Sequence, residues 1–205
     1  MITIIDYNIG NLASIKNMLK RIGIASLISN KIEDINKAEK LILPGVGSFD
    51  FGIEQLHKSG LVEILNEKVV KRKTPMLGIC LGAQLLTEGS EEGKSPGLGW
   101  IQGKTIGFDK QRMTVGQKIP NMGWNEVSDY SKSKLFTGMY ENPRFYFVHS
   151  YHLSIEKGED VMAKATYGYE FAAGIEYDNI LGVQFHPEKS HKYGMKIFEN
   201  YTKYY

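Results

Sequence analysis

The sequence predicts an α/β protein: one mixed, mostly parallel sheet flanked by helices, with antiparallel strands in its second half. Two observations carry that prediction. In the first half, short β-rich apolar runs alternate with segments whose apolar residues recur at helical spacing, as in a parallel sheet wound between helices. In the second half the strand-like runs lie closer together, the spacing of antiparallel strands. The chain has 205 residues, enough for one such unit with a substantial core. Residues 1–205 read as one domain, with no internal repeat, low-complexity segment or linker.

Met1 to Ile5 reads as a buried strand. From Leu12 to Ile22 the residues Leu12, Ile15, Met18, Leu19 and Ile22 recur at helical spacing. IASLIS (24–29) and KLIL (40–43) read as strands. The segment from Phe51 to Val70 carries Ile53, Leu56, Leu61, Ile64 and Leu65, a helix with an interruption expected at Gly60. MLGI (76–79) is a strand and LGAQLL (81–86) opens a helix. The later strands are GWIQGKTIGF (99–108), RFYFVHSYHLSI (144–155), DVMAKATY (160–167), FAAGIEY (171–177) and ILGVQF (180–185). A final helix over roughly His191 to Tyr201 closes the fold.

Bulk composition excludes several classes. The net charge is +2, with Lys and Arg mixed among Asp and Glu, so nucleic acid is not an expected partner. One cysteine rules out an internal disulfide and any multi-thiolate metal site, and no metal or organic cofactor is expected. The opening MITIIDYNIG lacks a basic n-region and a cleavage site, and no apolar run approaches the ~20 residues of a membrane span. These features point to a cytoplasmic protein with no membrane partner.

The one cysteine, Cys80, sits in PMLGICLGAQ (75–84). Strand, Gly78-Ile79-Cys80-Leu81-Gly82, helix is the layout of a nucleophile elbow, a tight turn that projects one side chain from the carboxyl edge of a sheet. Bulkier residues two before and two after would collide, so glycine is needed there. Peptide dipoles at a helix N-terminus favour an anion, and the Leu81 amide faces the same point as an oxyanion donor. Alone, Cys80 could equally be a small core hydrophobe.

A second constellation is GVQFHPE (182–188). Pro187 holds His186 extended, and residues two apart in an extended chain point the same way. His186 and Glu188 then project together as a base and its orienter. A third is LILPGVGSF (41–49), where Gly45, Val46 and Gly47 can present free N–H groups to an anion. Each of these could be a plain turn. Together they put nucleophile, base, orienter and anion donors at the ends of three strands of one sheet, the edge where open α/β sheets bind ligands. The joint reading is a thiol acyl-transfer enzyme. His149 and His152 are rival bases, but both lie in an aromatic strand with no adjacent carboxylate. His57 and His191 lie on helical patterns and are expected to be exposed.

GICLGAQ, PGVG and FHPEKS together resemble the class I (triad) glutamine amidotransferases. DYNIGNLASI, KIPNMGWNEV (118–127), YFVHSYH (146–152) and GVQFHPEKS (182–190) narrow this to a resemblance to the glutaminase subunits of imidazole glycerol phosphate synthase. The resemblance spans essentially the whole chain. It implies that Cys80 attacks the carboxamide of glutamine, that His186 held by Glu188 moves the proton, and that the amide of Leu81 and the strand around Val46 receive the oxyanion. It implies glutamine contacts at Gln84, Glu92, Ser150 and Tyr151, the last two largely through backbone. Read as bare residues, Gln84 could face solvent, Glu92 could be one of several loop acids, and Tyr151 could be core.

The resemblance also implies a (β/α)8-barrel cyclase partner in a heterodimer, which uses the ammonia to close an imidazole ring. Asn11, Met122, Trp124 and Lys189 match the partner-facing surface, although Trp124 could be a core aromatic and Lys189 any surface lysine. One departure stands out. After PGVGSF the family continues with a small residue and Met, whereas this chain has Phe49-Asp50-Phe51-Gly52-Ile53. That leaves a second acceptor open, a surface-polysaccharide sugar served by a paralogous glutaminase. An inactive scaffold subunit is the non-enzyme alternative, and the intact Cys80, His186 and Glu188 argue against it. A stand-alone thiol hydrolase would leave KIPNMGWNEV unexplained.

Overall fold

Successive residues of the buried strands in the first half of the chain point to opposite sides of a sheet, which sorts the apolar side chains into two clusters. A computed structural model describes residues 1–130 and 132–205. Strand β1 (Ile2–Ile5) sends Ile2 and Ile4 to one side and Ile5 to the other. Helix α1 (Leu12–Arg21) packs on the first side through Ile15 and Leu19. Then come β2 (Ser26–Ser29), α2 (Ile32–Lys37) and β3 (Lys40–Gly45). Helix α3 (Phe49–Lys58) and α4 (Val62–Leu65) cover the second side. Strand β4 (Met76–Cys80) runs straight into α5 (Leu81–Leu85).

The second half supplies β5 (Gly103–Gly107), β6 (Asn121–Ser128), β7 (Arg144–His149), β8 (Tyr151–Ile155), β9 (Val161–Tyr167), β10 (Tyr169–Tyr177) and β11 (Ile180–Val183). Helix α6 (His191–Tyr204) returns to the α1 side. The sheet order is β2-β1-β3-β4-β11-β10-β9-β6-β7, with β8 on β10 and β5 on β8. The pairs from β2 through β11 are parallel and the others antiparallel. The inner parallel strands β1, β3, β4 and β11 are buried almost throughout because both faces of the sheet are covered, whereas the edge strand β2 is only partly buried. Each fully buried Ile or Leu there stabilises the fold by about 1.5–3 kcal/mol.

Parallel register places the functional segments. Gly45 pairs with Cys80, and Val183 pairs with Ile79. The chain leaving β3, the cysteine ending β4 and the segment leaving β11 therefore meet at one carboxyl edge.

The structure departs from the sequence reading at several points. RFYFVHSYHLSI is two strands, not one: the chain changes partner at Ser150, from β6 to β5 and β10. The expected helix over 51–70 starts at Phe49, breaks at Gly60 (φ +69°), and continues past α4 as a π-helical turn over Asn66–Lys71. Pro187–Lys189 is a 3-10 turn rather than extended chain. Proline at the first helical position favours that turn, so His186 and Glu188 meet through it and not through strand alternation. Strand β6 and helix α2 have no counterpart among the strand and helix expectations.

Candidate functional site

Cys80 has φ +54° and ψ −112°, a conformation that costs energy for any side chain bearing a Cβ. The glycines around it are forced by close backbone packing. A Cβ on Gly82 would lie 1.9 Å from the Leu43 carbonyl oxygen, and one on Gly78 would lie 2.8 Å from the Ala83 backbone. Gly45 is constrained in the same way, since its Cβ would lie 2.5 Å from the Gly82 amide nitrogen. The collisions that demand glycine are thus with the facing strand and helix. The Tyr7 hydroxyl, fully buried, donates to the Pro44 carbonyl and fixes the end of β3.

A cavity of about 300 Å³ opens at this edge. Val46, Gly47, Cys80, Leu81 and His186 line it, and so do Gln84, Glu92, Ser150 and Tyr151. Of the residues expected here, Gly45 and Glu188 lie behind the wall. Neither the Val46 nor the Gly47 amide bonds to another backbone group among the described residues.

His186 and Glu188 are both buried, and Nδ1 of the ring donates to the Glu188 carboxylate at 2.8 Å. That bond fixes the tautomer, leaving the Nε2 lone pair for the cavity side. Nε2 is buried and has no hydrogen-bond partner among the described residues; catalytic hydrogen bonds tighten in the Michaelis complex. Burial by itself works against a charged ring. A thiolate at Cys80 and the Glu188 carboxylate outweigh it and hold the imidazole pKa well above the ordinary 6.5.

Gln84 is buried rather than solvent-facing, and its Nε2 donates to the Tyr151 carbonyl at 3.0 Å. The Glu92 carboxylate accepts the Phe49 amide at 2.8 Å. In return Asp50, in the departing Phe49–Ile53 segment, accepts the amides of Lys94 and Ser95 at 3.0 Å each. These bonds hold the Asp50 carboxyl below its usual range. Helix α3 and the loop carrying Glu92 therefore fix each other.

Sequence reasoning set His149 aside, yet it lines the cavity. Its Nδ1 donates to the Tyr151 carbonyl at 2.8 Å, and Asn121 donates to its Nε2 at 3.2 Å. Burial drives its pKa down to about 3, so the ring stays neutral and has no free lone pair for base chemistry. His152 is likewise pushed down by burial and is held by the Leu153 carbonyl and the Tyr169 hydroxyl. The depressed His149 value has a consequence for stability. The unfolded chain takes up a proton near pH 6.5 that the folded chain refuses until about pH 3, so stability present above pH 6.5 is lost as pH falls. Urea unfolding at about pH 7 and about pH 4.5 is expected to show roughly 2–3 kcal/mol of acid loss that a His149→Gln variant lacks. Equal acid losses in the two proteins would contradict this account.

The residues matched to a partner surface fall into two groups. Met122 and Trp124, alternate positions on β6, are 62% and 44% exposed, so Trp124 is not a core aromatic. Its ring stacks on exposed His191 at 5.4 Å and meets Tyr146 edge-on. The exposed Lys189 lies over the same Tyr146 ring at 5.6 Å. Asn11, half-buried, precedes α1, which packs on the Pro187–Lys189 turn. His57 is exposed as expected. No cluster of metal-binding side chains occurs among the described residues, and no helix there is long and apolar enough to cross a membrane.

Comparison with known proteins shows the family. The family model for glutamine amidotransferase class-I matches residues 3–203. The imidazole glycerol phosphate synthase subunit HisH 2 of Methanococcus maripaludis is 54% identical over 99% of both chains. Its namesake from Pseudomonas aeruginosa is 48% identical over 99% of both. Among solved structures, PurLQS from Thermotoga maritima superposes with a TM-score of 0.72 at 19% identity, covering 99% of this chain and 97% of that one. The glutaminase domain of Trypanosoma brucei CTPS gives 0.64 at 14% identity over 98% and 93%. Those two likenesses speak to the fold alone. The match over nearly the whole chain, with relatives this similar, shows that the chain belongs to the class-I glutamine amidotransferases, in the branch of the HisH subunits of imidazole glycerol phosphate synthase.

Proposed function

We propose that this chain is the glutaminase of a two-subunit imidazole glycerol phosphate synthase in histidine biosynthesis, with Cys80, His186 and Glu188 as its triad. The Cys80 sulfur attacks the carboxamide carbon of glutamine. His186 Nε2 takes the thiol proton and returns it to the departing nitrogen, which leaves as ammonia. Water then cleaves the thioester and releases glutamate. The Leu81 amide and the Gly45-Val46-Gly47 segment receive the developing oxyanion. Gln84, Glu92, Ser150 and Tyr151 hold the substrate. The ammonia passes to a (β/α)8-barrel cyclase subunit, which docks as a heterodimer on the surface carrying Asn11, Met122, Trp124 and Lys189.

The observation that carries this reading is the meeting, in one cavity, of a strained lone cysteine and a buried, carboxylate-held imidazole. An exposed Trp beside an exposed Met supports the docking surface, because such residues dominate interface centres. The test is glutamate release from glutamine by the purified chain, alone and with the same organism's cyclase subunit and its phosphoribosyl ligand. Strong stimulation is the expected result. No stimulation of a folded protein would sink the histidine assignment. It would favour the second reading, delivery of ammonia to a surface-polysaccharide sugar. The departing Phe49–Ile53 segment, which follows the Gly45-Val46-Gly47 strand end, is what motivates that alternative.

A further inference from the structure

Gln184 leaves the end of β11 with its side chain fully buried, a polar residue inside the apolar run ILGVQF. Its own amide donates to the Ala173 carbonyl on β10 at 2.9 Å, which fixes its backbone. Buried amide side chains are normally fully bonded, and the bonds of this one run to the site. Its Oε1 accepts from Gln84 Nε2 at 3.2 Å, and its Nε2 stands 3.8 Å from the Cys80 sulfur.

The neighbours fix which way each amide faces. The Tyr151 carbonyl can only accept, and it takes both the His149 Nδ1–H and a Gln84 N–H. The NH2 group of Gln84 must therefore face it, and the second Gln84 N–H then points at Gln184. Gln184 must answer with its oxygen, which leaves its NH2 group for the sulfur. The far end of the chain agrees, since Asn125 donates to the Asn121 oxygen and so turns the Asn121 NH2 toward His149. With both N–H groups committed, Gln84 can offer only its oxygen to the cavity.

The sulfur has a different neighbour on another side, the Val148 carbonyl at 4.0 Å. A thiol can point its proton there. A thiolate is repelled by that carbonyl and finds its donor in Gln184. We propose that Gln184 positions and stabilises the Cys80 thiolate: its side-chain N–H, aimed through Gln84 and the Tyr151 carbonyl, donates to the sulfur once the proton has left. Bonds to an ionised acceptor are shorter and stronger than bonds to a neutral one, so the contact tightens as charge builds. This inference rests on the reading of Cys80 as the nucleophile.

The chain has one cysteine, so alkylation by iodoacetamide reports on Cys80 alone. The experiment follows the alkylation rate against pH for the full chain and two variants. Gln184→Met keeps length and removes the donor. Gln184→Glu keeps an oxygen for Gln84 and turns a second oxygen on the sulfur, so it reads the effect should the Met variant fail to fold. The midpoint is expected to rise by ~1 pH unit in the Met variant and further in the Glu variant. The glutaminase kcat of the Met variant is expected to fall about tenfold, with KM for glutamine within about threefold of the native value. Folded variants with the native alkylation midpoint and native kcat would overturn the proposal and reduce Gln184 to packing. A Cys80→Ala control separates the two readings. Retained turnover there would remove the nucleophile assignment while the alkylation comparison still judged the Gln184 contact.

Discussion

Replacing Cys80 by alanine is expected to lower glutamine turnover by on the order of 10⁴–10⁶-fold, the scale set by removing a covalent nucleophile. Ammonia supplied directly should still support the partner's ring closure, because the variant touches only the step that makes ammonia. The prediction is clean because the substitution leaves the fold nearly alone. Alanine meets the same constraint at φ +54° that cysteine already bears, and the small void left by the sulfur costs only ~1 kcal/mol. Cys80→Ser should be equally silent with glutamine, since a hydroxyl in that cavity is a far weaker nucleophile than a thiolate. The readouts are glutamate release and cyclase turnover with glutamine or with an ammonium salt. Glutamine turnover at the native rate in the alanine variant would refute the assignment. The size of the effect also separates nucleophile from positioner. Loss of Gln184 weakens one bond to the sulfur, whereas loss of Cys80 removes the covalent route.

What could be read from the sequence was what is local in the chain. The elbow is written in five consecutive residues, and glycine at 78 and 82 follows from backbone crowding that any strand-to-helix turn of this kind imposes. PGVG and HPE are equally short, and the parallel register that unites them follows from the strand–helix alternation. The 3-10 turn at Pro187 could have been read from the proline, yet the strand before it suggested extended chain. Strand β6 was harder, because NMGWNEVS alternates only loosely and carries Gly123 at φ +144°. Helix α2 is six residues long, and its N-terminus has no side-chain cap to announce it. The polar network around the site was out of reach. Asn121, His149, Tyr151, Gln84 and Gln184 come from β6, β7, β8, α5 and the segment after β11, and only packing brings them together. A single clue was present: Gln184 stands inside an apolar strand run, where a polar residue needs partners.

Glu188→Gln is the second large effect, and the geometry says why a near-isosteric change should matter. The native carboxylate accepts the His186 Nδ1–H at 2.8 Å, while its other oxygen is buried with no partner among the described residues. A glutamine amide can sit in two ways. With NH2 toward the ring, Nδ1 must become the acceptor and the ring proton moves to Nε2, where it blocks uptake of the thiol proton. With oxygen toward the ring, the tautomer survives, but the charge that stabilises an imidazolium is gone and the NH2 is buried unpaired. Either arrangement is expected to lower kcat by about 10²–10⁴-fold. KM for glutamine should change little, because Glu188 does not line the cavity. The imidazole pKa should also drop, since burial lowers it and one of the two opposing charges has been removed. Nitrogen NMR of His186 can report both the tautomer and the titration. A kcat within about threefold of native, with the Nδ1–H tautomer and its titration unchanged, would mean that the 3-10 turn alone orients the ring. Glu188 would then have no part in the proton transfer.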